Sequence, residues 1–273
     1  MAGDARVPAR PRGWLGHAAA ALASVLLPAG CRICDQLMPH ASRVPICDEC
    51  LASFEPLPRK VCESCGSPQR AFNIQEDSRY LCPACQNKTY AFHRARSFAF
   101  YDRAMVRAIL LLKFERMEPL AAWFAARLAE KVAQEGELLR ADVIVPVPLH
   151  RLRQKERGYN QADLIARALA KRLRLPREPV LLMRTRPRPD KRVLSLEERW
   201  ASVRGAFATR PGSQVDNRRV LLVDDVMTTG ATLDACSRAL REAGAKTVLG
   251  LTVARALRDS WAGTGEEDPR NAQ

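Results

Sequence analysis

Short runs of apolar residues alternate along this chain with stretches of helical periodicity. The clearest run, residues 220–223, holds four consecutive aliphatic side chains and suits a strand buried on both faces. Residues 96–101, 143–148, 180–183, 204–207 and 247–254 read as further strands. Helical spacing covers residues 105–114, 161–173 and 233–243. Another helix opens at Glu118 and Pro119 and carries Leu120, Trp123, Phe124, Leu128 and Val132. Gly244 is positioned to stop the last helix, and Ser195 with Glu198 makes a capping box for a helix through Val203. Residues 149–161 read as a loop carrying Arg151, Arg153, Lys155, Arg157 and Gly158. A second basic loop, residues 184–192, carries prolines as well.

The ends of the chain have a different pattern. Trp14, Leu15, Ala18, Leu22, Val25 and Leu26 share one helical face, so residues 14–29 are expected to form a short amphipathic helix. Residues 1–13, rich in Pro and Arg, and the polar residues 258–273 read as flexible tails. Arg6, Arg10 and Arg12 followed by the apolar run 18–27 and Cys31 imitate a lipoprotein signal. Pro28 stands where such a signal wants an aliphatic residue, and the run is too short to span a bilayer.

Composition narrows the chemistry. At 273 residues there is room for one ordinary domain and a smaller one. Forty-four basic against 30 acidic residues leave a formal charge of +14, which favours anionic partners such as a pyrophosphorylated sugar, nucleic acid or an anionic membrane surface. Eight of the nine cysteines fall between positions 31 and 85 in four Cys-x-x-Cys pairs: Cys31 and Cys34, Cys47 and Cys50, Cys62 and Cys65, Cys82 and Cys85. Each pair offers two thiolates to one metal, and two pairs complete a tetrahedral Cys₄ site. Sequential pairing, with the first two pairs on one Zn²⁺ and the last two on another, is the simplest; an interleaved pairing is the alternative. Sites closed by four thiolates are structural, and the metal supplies folding energy to a segment with few large apolar residues. Cys236 reads as a small buried residue. His17, His40, His93 and His150 show no partner pattern for a nucleophilic triad.

The run at 220–223 leads into Asp224 and Asp225, then Thr228, Thr229, Gly230, Ala231 and Thr232, then a helix. Strand, tight loop and helix N-terminus aim backbone N–H groups at an anion, and a glycine lets the backbone approach it closely. The loop has neither the lysine of an ATP-binding P-loop nor the glycines of a dinucleotide fingerprint. Carboxylates beside a phosphate must hold something else, and sugar hydroxyls or hydrated Mg²⁺ are the natural candidates. Phosphate, diol and metal together describe a ribose 5-phosphate.

This stretch closely resembles the phosphoribosyl pyrophosphate (PRPP) motif of type I phosphoribosyltransferases. With it stand the eight cysteines, Leu112-Lys113-Phe114, Val145-Pro146-Val147-Pro148-Leu149, Arg157-Gly158-Tyr159-Asn160-Gln161, and Arg199 with Gly205-Ala206-Phe207. Together they make residues 14–255 resemble the ComF family, including its GntX-type members. Two positions depart from the family's pattern, which usually has Gln near Lys191 and Asn near Ser202.

The resemblance implies an α/β fold: a phosphoribosyltransferase-type, Rossmann-like parallel sheet of about five strands with helices on both faces, preceded by a small double zinc ribbon. It divides the chain into a tail and helix (1–29), the double zinc ribbon (30–90), the phosphoribosyltransferase-like domain (91–257) and a tail (258–273). It implies that Asp224 and Asp225 hold the ribose hydroxyls, one through Mg²⁺-bound water. Thr228, Thr229, Gly230, Ala231 and Thr232 would cradle the 5-phosphate. Pro148, Leu149, Arg151, Arg153 and Arg157 would hold the pyrophosphate, and residues 96–115 would form a hood over the sugar. Two structural Zn²⁺ ions and Mg²⁺ with PRPP are the implied cofactors. A cytoplasmic protein of DNA uptake or DNA use is the implied setting, with PRPP, single-stranded DNA and DNA-processing proteins as partners. Three classes of function stay open: a phosphoribosyltransferase, a PRPP-sensing scaffold, and a zinc-ribbon nucleic-acid binder whose transferase-like domain is merely structural.

Overall fold

The structure is a computed structural model and describes residues 30–39, 42–68, 80–87, 90–187, 195–213 and 215–257. The amphipathic helix expected over 14–29, both expected tails and most of the second basic loop lie outside these residues. The chain divides into two compact units between Ser53 and Phe54.

In the first unit, Cys31 and Cys34 sit on a tight turn where Asp35 N–H donates to Cys31 O and Gly30 bridges Leu37. Cys47 caps a one-turn helix, α1 (Asp48–Ala52), its side chain accepting from Cys50 N–H. Cys31, Met38 and Ile46 are the buried apolar residues of this unit among those described.

The second unit opens with a short helix, α2 (Pro83–Gln86), and then builds the sheet. In chain order come β1 (Arg94–Phe100), α3 (Arg103–Phe114), α4 (Pro119–Glu135), β2 (Val143–Pro146), α5 (Arg151–Arg157), α6 (Gln161–Leu173), β3 (Leu182–Arg184), α7 (Leu196–Val203), β4 (Phe207–Thr209), β5 (Arg219–Met227), α8 (Ala231–Glu242) and β6 (Thr247–Arg255). The main sheet is parallel with order β1-β6-β5-β2. Val220 through Val223 are fully buried, as a central strand covered on both faces must be. Helices α4 and α6 pack on each other, α4 against β1 and α6 against β5 and β2. Helix α8 packs with α7, β4 and β6. Of the stripe read from the sequence, Leu120, Phe124 and Leu128 are buried on α4 together with Ala121 and Ala125, while Trp123 and Val132 are half-buried.

Among the described residues the main sheet has four strands where about five were expected. Residues 180–183 do not join the main sheet; β3 begins at Leu182 and pairs antiparallel with β4. The free edge of β2 is closed instead by a single parallel bridge, with Ile144 N–H donating to Pro176 O and Glu178 N–H to Ile144 O. A second correction concerns residues 149–161. They are not a loop: seven of them form α5, capped by His150 and stopped by Gly158 in the left-handed region. Arg, Leu, Gln, Lys and Glu are all good helix formers, and Gly158 at φ 82° supplies the C-terminal stop.

The starts of β2 and β5 are tied by Asp142, which accepts from Arg219 N–H at 2.8 Å and from its guanidinium at 2.6 Å. The Arg219 side chain first, then its backbone N–H, lower the Asp142 carboxyl to about 2. A carboxyl lowered in the folded state contributes stability above its unfolded value, near 4, and loses it as pH falls through about 2. Both side chains are about a third exposed, so water screens the pair and the contribution is small. Acid melts of Asp142→Asn should lack a shallow loss of stability between about pH 4 and 2 that the parent shows. Parallel curves over that range would refute the assignment.

Candidate functional site

The C-terminal ends of β2 and β5 open on one cavity of about 760 Å³. This is where a parallel α/β sheet presents ligands, because its helix N-termini and connecting loops converge there.

The β5 wall carries the acids. Asp225 is buried and Asp224 half-buried, and Asp225 N–H donates to Asp224 Oδ1 at 2.9 Å. Desolvation in the cleft, then the charge of Asp225, raise the Asp224 carboxyl; the Asp225 N–H and Lys113 act in the opposite direction. Lys113 Nζ stands 3.2 Å from Asp225 Oδ2.

Past the acids the chain turns through Gly230, at φ 79° and ψ 0°, into α8. Ala231 N–H reaches back to Thr229 Oγ1 at 3.3 Å. The loop is braced from behind. Tyr90 Oη donates to Thr229 O at 3.0 Å, and Ala91 N–H donates to Asp234 Oδ1 at 2.7 Å. The Tyr90 ring stacks on Phe92 with centroids 4.6 Å apart. A side chain on Gly230 would meet Met227 Cε at 2.9 Å and Tyr90 Cε1 at 3.1 Å, so the backbone lies directly on its support.

The facing wall is β2 with α5. Val147 N–H donates to Val223 O, and Asn160 Nδ2 donates to Val147 O while its Oδ1 caps α6. The Arg157 guanidinium lies over the Phe114 ring at 4.9 Å and donates to Gln161 Oε1. Burial lowers the Arg157 pKa, with the attraction of Asp225 opposing it. Tyr159 Oη donates to Leu112 O, which fastens the end of α3 to this wall. Tyr101, Leu110, Lys113 and Phe114 close the cavity on that side, within the residues expected to form a hood.

The cavity thus brings together Asp224, Asp225, Thr228, Thr229, Ala231 and Thr232 from one wall and Pro148, Leu149, Arg153 and Arg157 from the other. Gly230 is buried beneath the loop. Arg151 is not in the cavity wall. On a helix, Arg153 and Arg157 are four apart and share a face, whereas Arg151, two residues from Arg153, points elsewhere. Arg184, Arg199 and Ser202 add to the lining. Sequence reasoning gave no role to Lys113, Tyr90 or Arg255. Lys113 entered only within its tripeptide, and the other two carry no local signal.

The cysteines gather as two groups of four, Cys31, Cys34, Cys47 and Cys50, and Cys62, Cys65, Cys82 and Cys85, each with its Sγ atoms within 4.8 Å of one another. Grouping is sequential. The Cys34–Cys47 and Cys65–Cys82 sulfurs are 3.7 and 3.6 Å apart. A tetrahedron with Zn–S bonds of 2.3 Å has edges of about 3.8 Å, so both groups fit Zn²⁺. The second group belongs to the same buried core as the sheet. Arg255, at the end of β6, donates to Cys65 O at 2.7 Å, to Met227 Sδ at 3.0 Å and to Cys65 Sγ at 3.4 Å. Arg96 donates to the carbonyls of Cys62 and Glu63, and its Nε to Glu135. These contacts hold the Cys62–Cys65 turn to β1 and β6. The acidic pair fits a protein-held Mg²⁺ poorly, because the Lys113 ammonium already faces Asp225 Oδ2.

A parallel sheet whose strand ends carry an acidic pair, a Thr/Gly loop and an arginine-bearing wall defines a phosphoribosyltransferase-type domain, and residues 160–261 match the family model described as phosphoribosyl transferase domain. Over 224 residues the chain is 30% identical to competence protein F of Haemophilus influenzae, covering 80% of this chain and 93% of that protein. It therefore belongs to the ComF family. It is also 30% identical to the DNA utilization protein YhgH of Escherichia coli strain K12 over 193 residues, 70% of this chain and 82% of the relative. Competence protein ComFC of Bacillus subtilis matches at 27% over 202 residues, 73% of this chain and 79% of the relative. Among the described residues no helix is long and apolar enough to cross a membrane.

Proposed function

We propose that the cavity binds PRPP and that the protein is a phosphoribosyltransferase-type member of the ComF family acting in the cytoplasm, in competence or DNA utilisation as the names of its relatives indicate. The supporting observation is that acids, phosphate loop and arginines share one cavity. Asp224 and Asp225 accept from the ribose hydroxyls. The loop from Thr228 to Thr232, with the N-terminus of α8, binds the 5-phosphate through backbone N–H groups and hydroxyls. Arg153 and Arg157 face the pyrophosphate and offset the charge that grows on it as the bond to ribose C1 breaks. Positioning and charge carry such a reaction, with no covalent nucleophile required. Mg²⁺ would be carried by the phosphates of PRPP. Single-stranded DNA and DNA-processing proteins are the partners proposed with this role.

Titration of PRPP into the zinc-loaded protein and into the Asp224→Asn/Asp225→Asn variant tests the reading. Each charge-assisted hydrogen bond contributes about 1.5–3 kcal/mol, so the double variant should bind at least ~100-fold more weakly. Equal affinity would refute the site. Release of pyrophosphate from PRPP in the presence of candidate bases would then establish turnover.

A further inference from the structure

Lys113 is held, half-buried, against the acidic pair by contacts that have nothing to do with its own charge. It lies in the last turn of α3, and its two neighbours are anchored to the opposite wall. Leu112 O accepts from Tyr159 Oη, and the Phe114 ring lies under Arg157. The ammonium is thereby delivered to Asp225 with side-chain exposures of 18% for the lysine and 7% for the aspartate.

The contact has an unusual quality. Asp225 Oδ2 is buried and has no aligned hydrogen-bond donor, although Lys113 Nζ is 3.2 Å away. The lysine offsets the carboxylate's charge without using up its lone pairs. A buried acceptor in that condition calls for a donor, and the cavity it lines is where a donor would arrive. A hydroxyl meets the need; a second cation does not, because it would have to share the oxygen with the ammonium.

We propose that Lys113 is the resident counter-cation of the acidic pair: it neutralises Asp225, keeps a divalent ion off that carboxylate, and leaves Oδ2 to accept a sugar hydroxyl. The last clause rests on the PRPP reading; the first two do not. The consequence is a cleft whose acids accept a highly anionic sugar phosphate with little help from free divalent cation.

Two measurements on the zinc-loaded full-length protein test this. The first uses Mn²⁺ alone, counted by electron paramagnetic resonance. Wild type should bind it weakly at this pair. Lys113→Met should gain at least ~10-fold in Mn²⁺ affinity, Lys113→Arg should not, and Lys113→Met/Asp225→Asn should lose the gain. The second uses PRPP titrations in EDTA and in excess Mg²⁺. Lys113→Met should weaken binding by at least ~10-fold in EDTA, and Mg²⁺ should restore most of it, because the ion then takes the lysine's place. Lys113→Arg should stay within a few-fold of wild type in both conditions. Equal Mn²⁺ affinity in wild type and Lys113→Met would overturn the proposal, as would a PRPP defect of the same size with and without Mg²⁺. If Mn²⁺ behaves as expected and wild type ignores PRPP, the counter-cation role stands and the PRPP reading falls. If PRPP binds and the Mn²⁺ gain is absent, the reverse holds.

Discussion

Replacing Gly230 with valine is expected to abolish PRPP binding while leaving the fold in place. The residue has φ 79° and ψ 0°, a region that costs an L-residue roughly 1–2 kcal/mol and a β-branched one more. Steric contact adds to this. A Cβ would approach Met227 Cε to 2.9 Å, which a flexible methionine end can relieve. It would also approach the Tyr90 ring to 3.1 Å, and that ring cannot retreat, because it stacks on Phe92 and lies close to Trp200. Tyr90 holds the loop through Thr229 O, so a displaced ring takes the loop with it. A grip on phosphate made by backbone N–H groups depends on their convergence, and each charge-assisted hydrogen bond lost costs about 1.5–3 kcal/mol, so losing two or more abolishes measurable binding. Gly230→Ala should fall between wild type and valine. Calorimetric titration reads the affinity and circular dichroism confirms folding; an alanine variant within about twofold of wild type would count against this account.

The second large effect is a contrast between the two cysteine groups. Cys65→Ser should collapse the sheet-bearing unit, whereas Cys34→Ser should cost the first metal and leave the melting of the larger unit and its PRPP affinity near wild type. Cys65 is buried, and Arg255 holds both its carbonyl and its sulfur. Gly66, at φ 68°, lies so close to β1 that a Cβ would be 2.6 Å from Ala95 O. The turn therefore has no room to relax without leaving the sheet. A Zn²⁺ held by this group would contribute stability that its loss forfeits, about 10–16 kcal/mol in isolated zinc-finger peptides. The loss also strands the buried Arg255 guanidinium, whereas Arg96 keeps Glu135, and uncompensated buried charge costs about 3–5 kcal/mol. Cys34 is exposed and belongs to the smaller unit. Zinc content, thermal melts and PRPP titration on both variants decide the matter; a Cys65→Ser protein that melts like wild type would falsify the structural role.

What could be read from the sequence was what depends on neighbours in the chain. Val220 to Thr232 carries its strand, acids and loop in one contiguous string, and the structure keeps that order. The four cysteine pairs were legible for the same reason, and the structure groups them sequentially. Residues 151–157 were misread because the stretch lies between Pro148 and Gly158, which suggested a loop, while its own residues favour a helix. That error placed Arg151 with Arg153 and Arg157, since only helical geometry separates them. The β3–β4 pairing was illegible because strands of three residues carry too little pattern to reveal a partner. Tyr90 and Arg255 were out of reach for a different reason. Tyr90 meets Thr229 across 139 positions, and Arg255 meets Cys65 across 190. Nothing beside either residue in the chain announces a contact made only after the sheet has closed.

Arg255 has a bearing on how such a protein can be assembled by evolution. A metal-bound ribbon joined by a linker can be exchanged between proteins as an independent cassette, because neither part holds the other's unsatisfied groups. The second cysteine turn has given up that freedom. Its carbonyl and its sulfur are the acceptors of an arginine that also touches Met227, at the end of the strand carrying both aspartates. Removal of the turn would leave that arginine, inside the sheet domain, with the Met227 sulfur but without its two Cys65 acceptors. A lineage that loses the second cysteine group must therefore replace Arg255 as well.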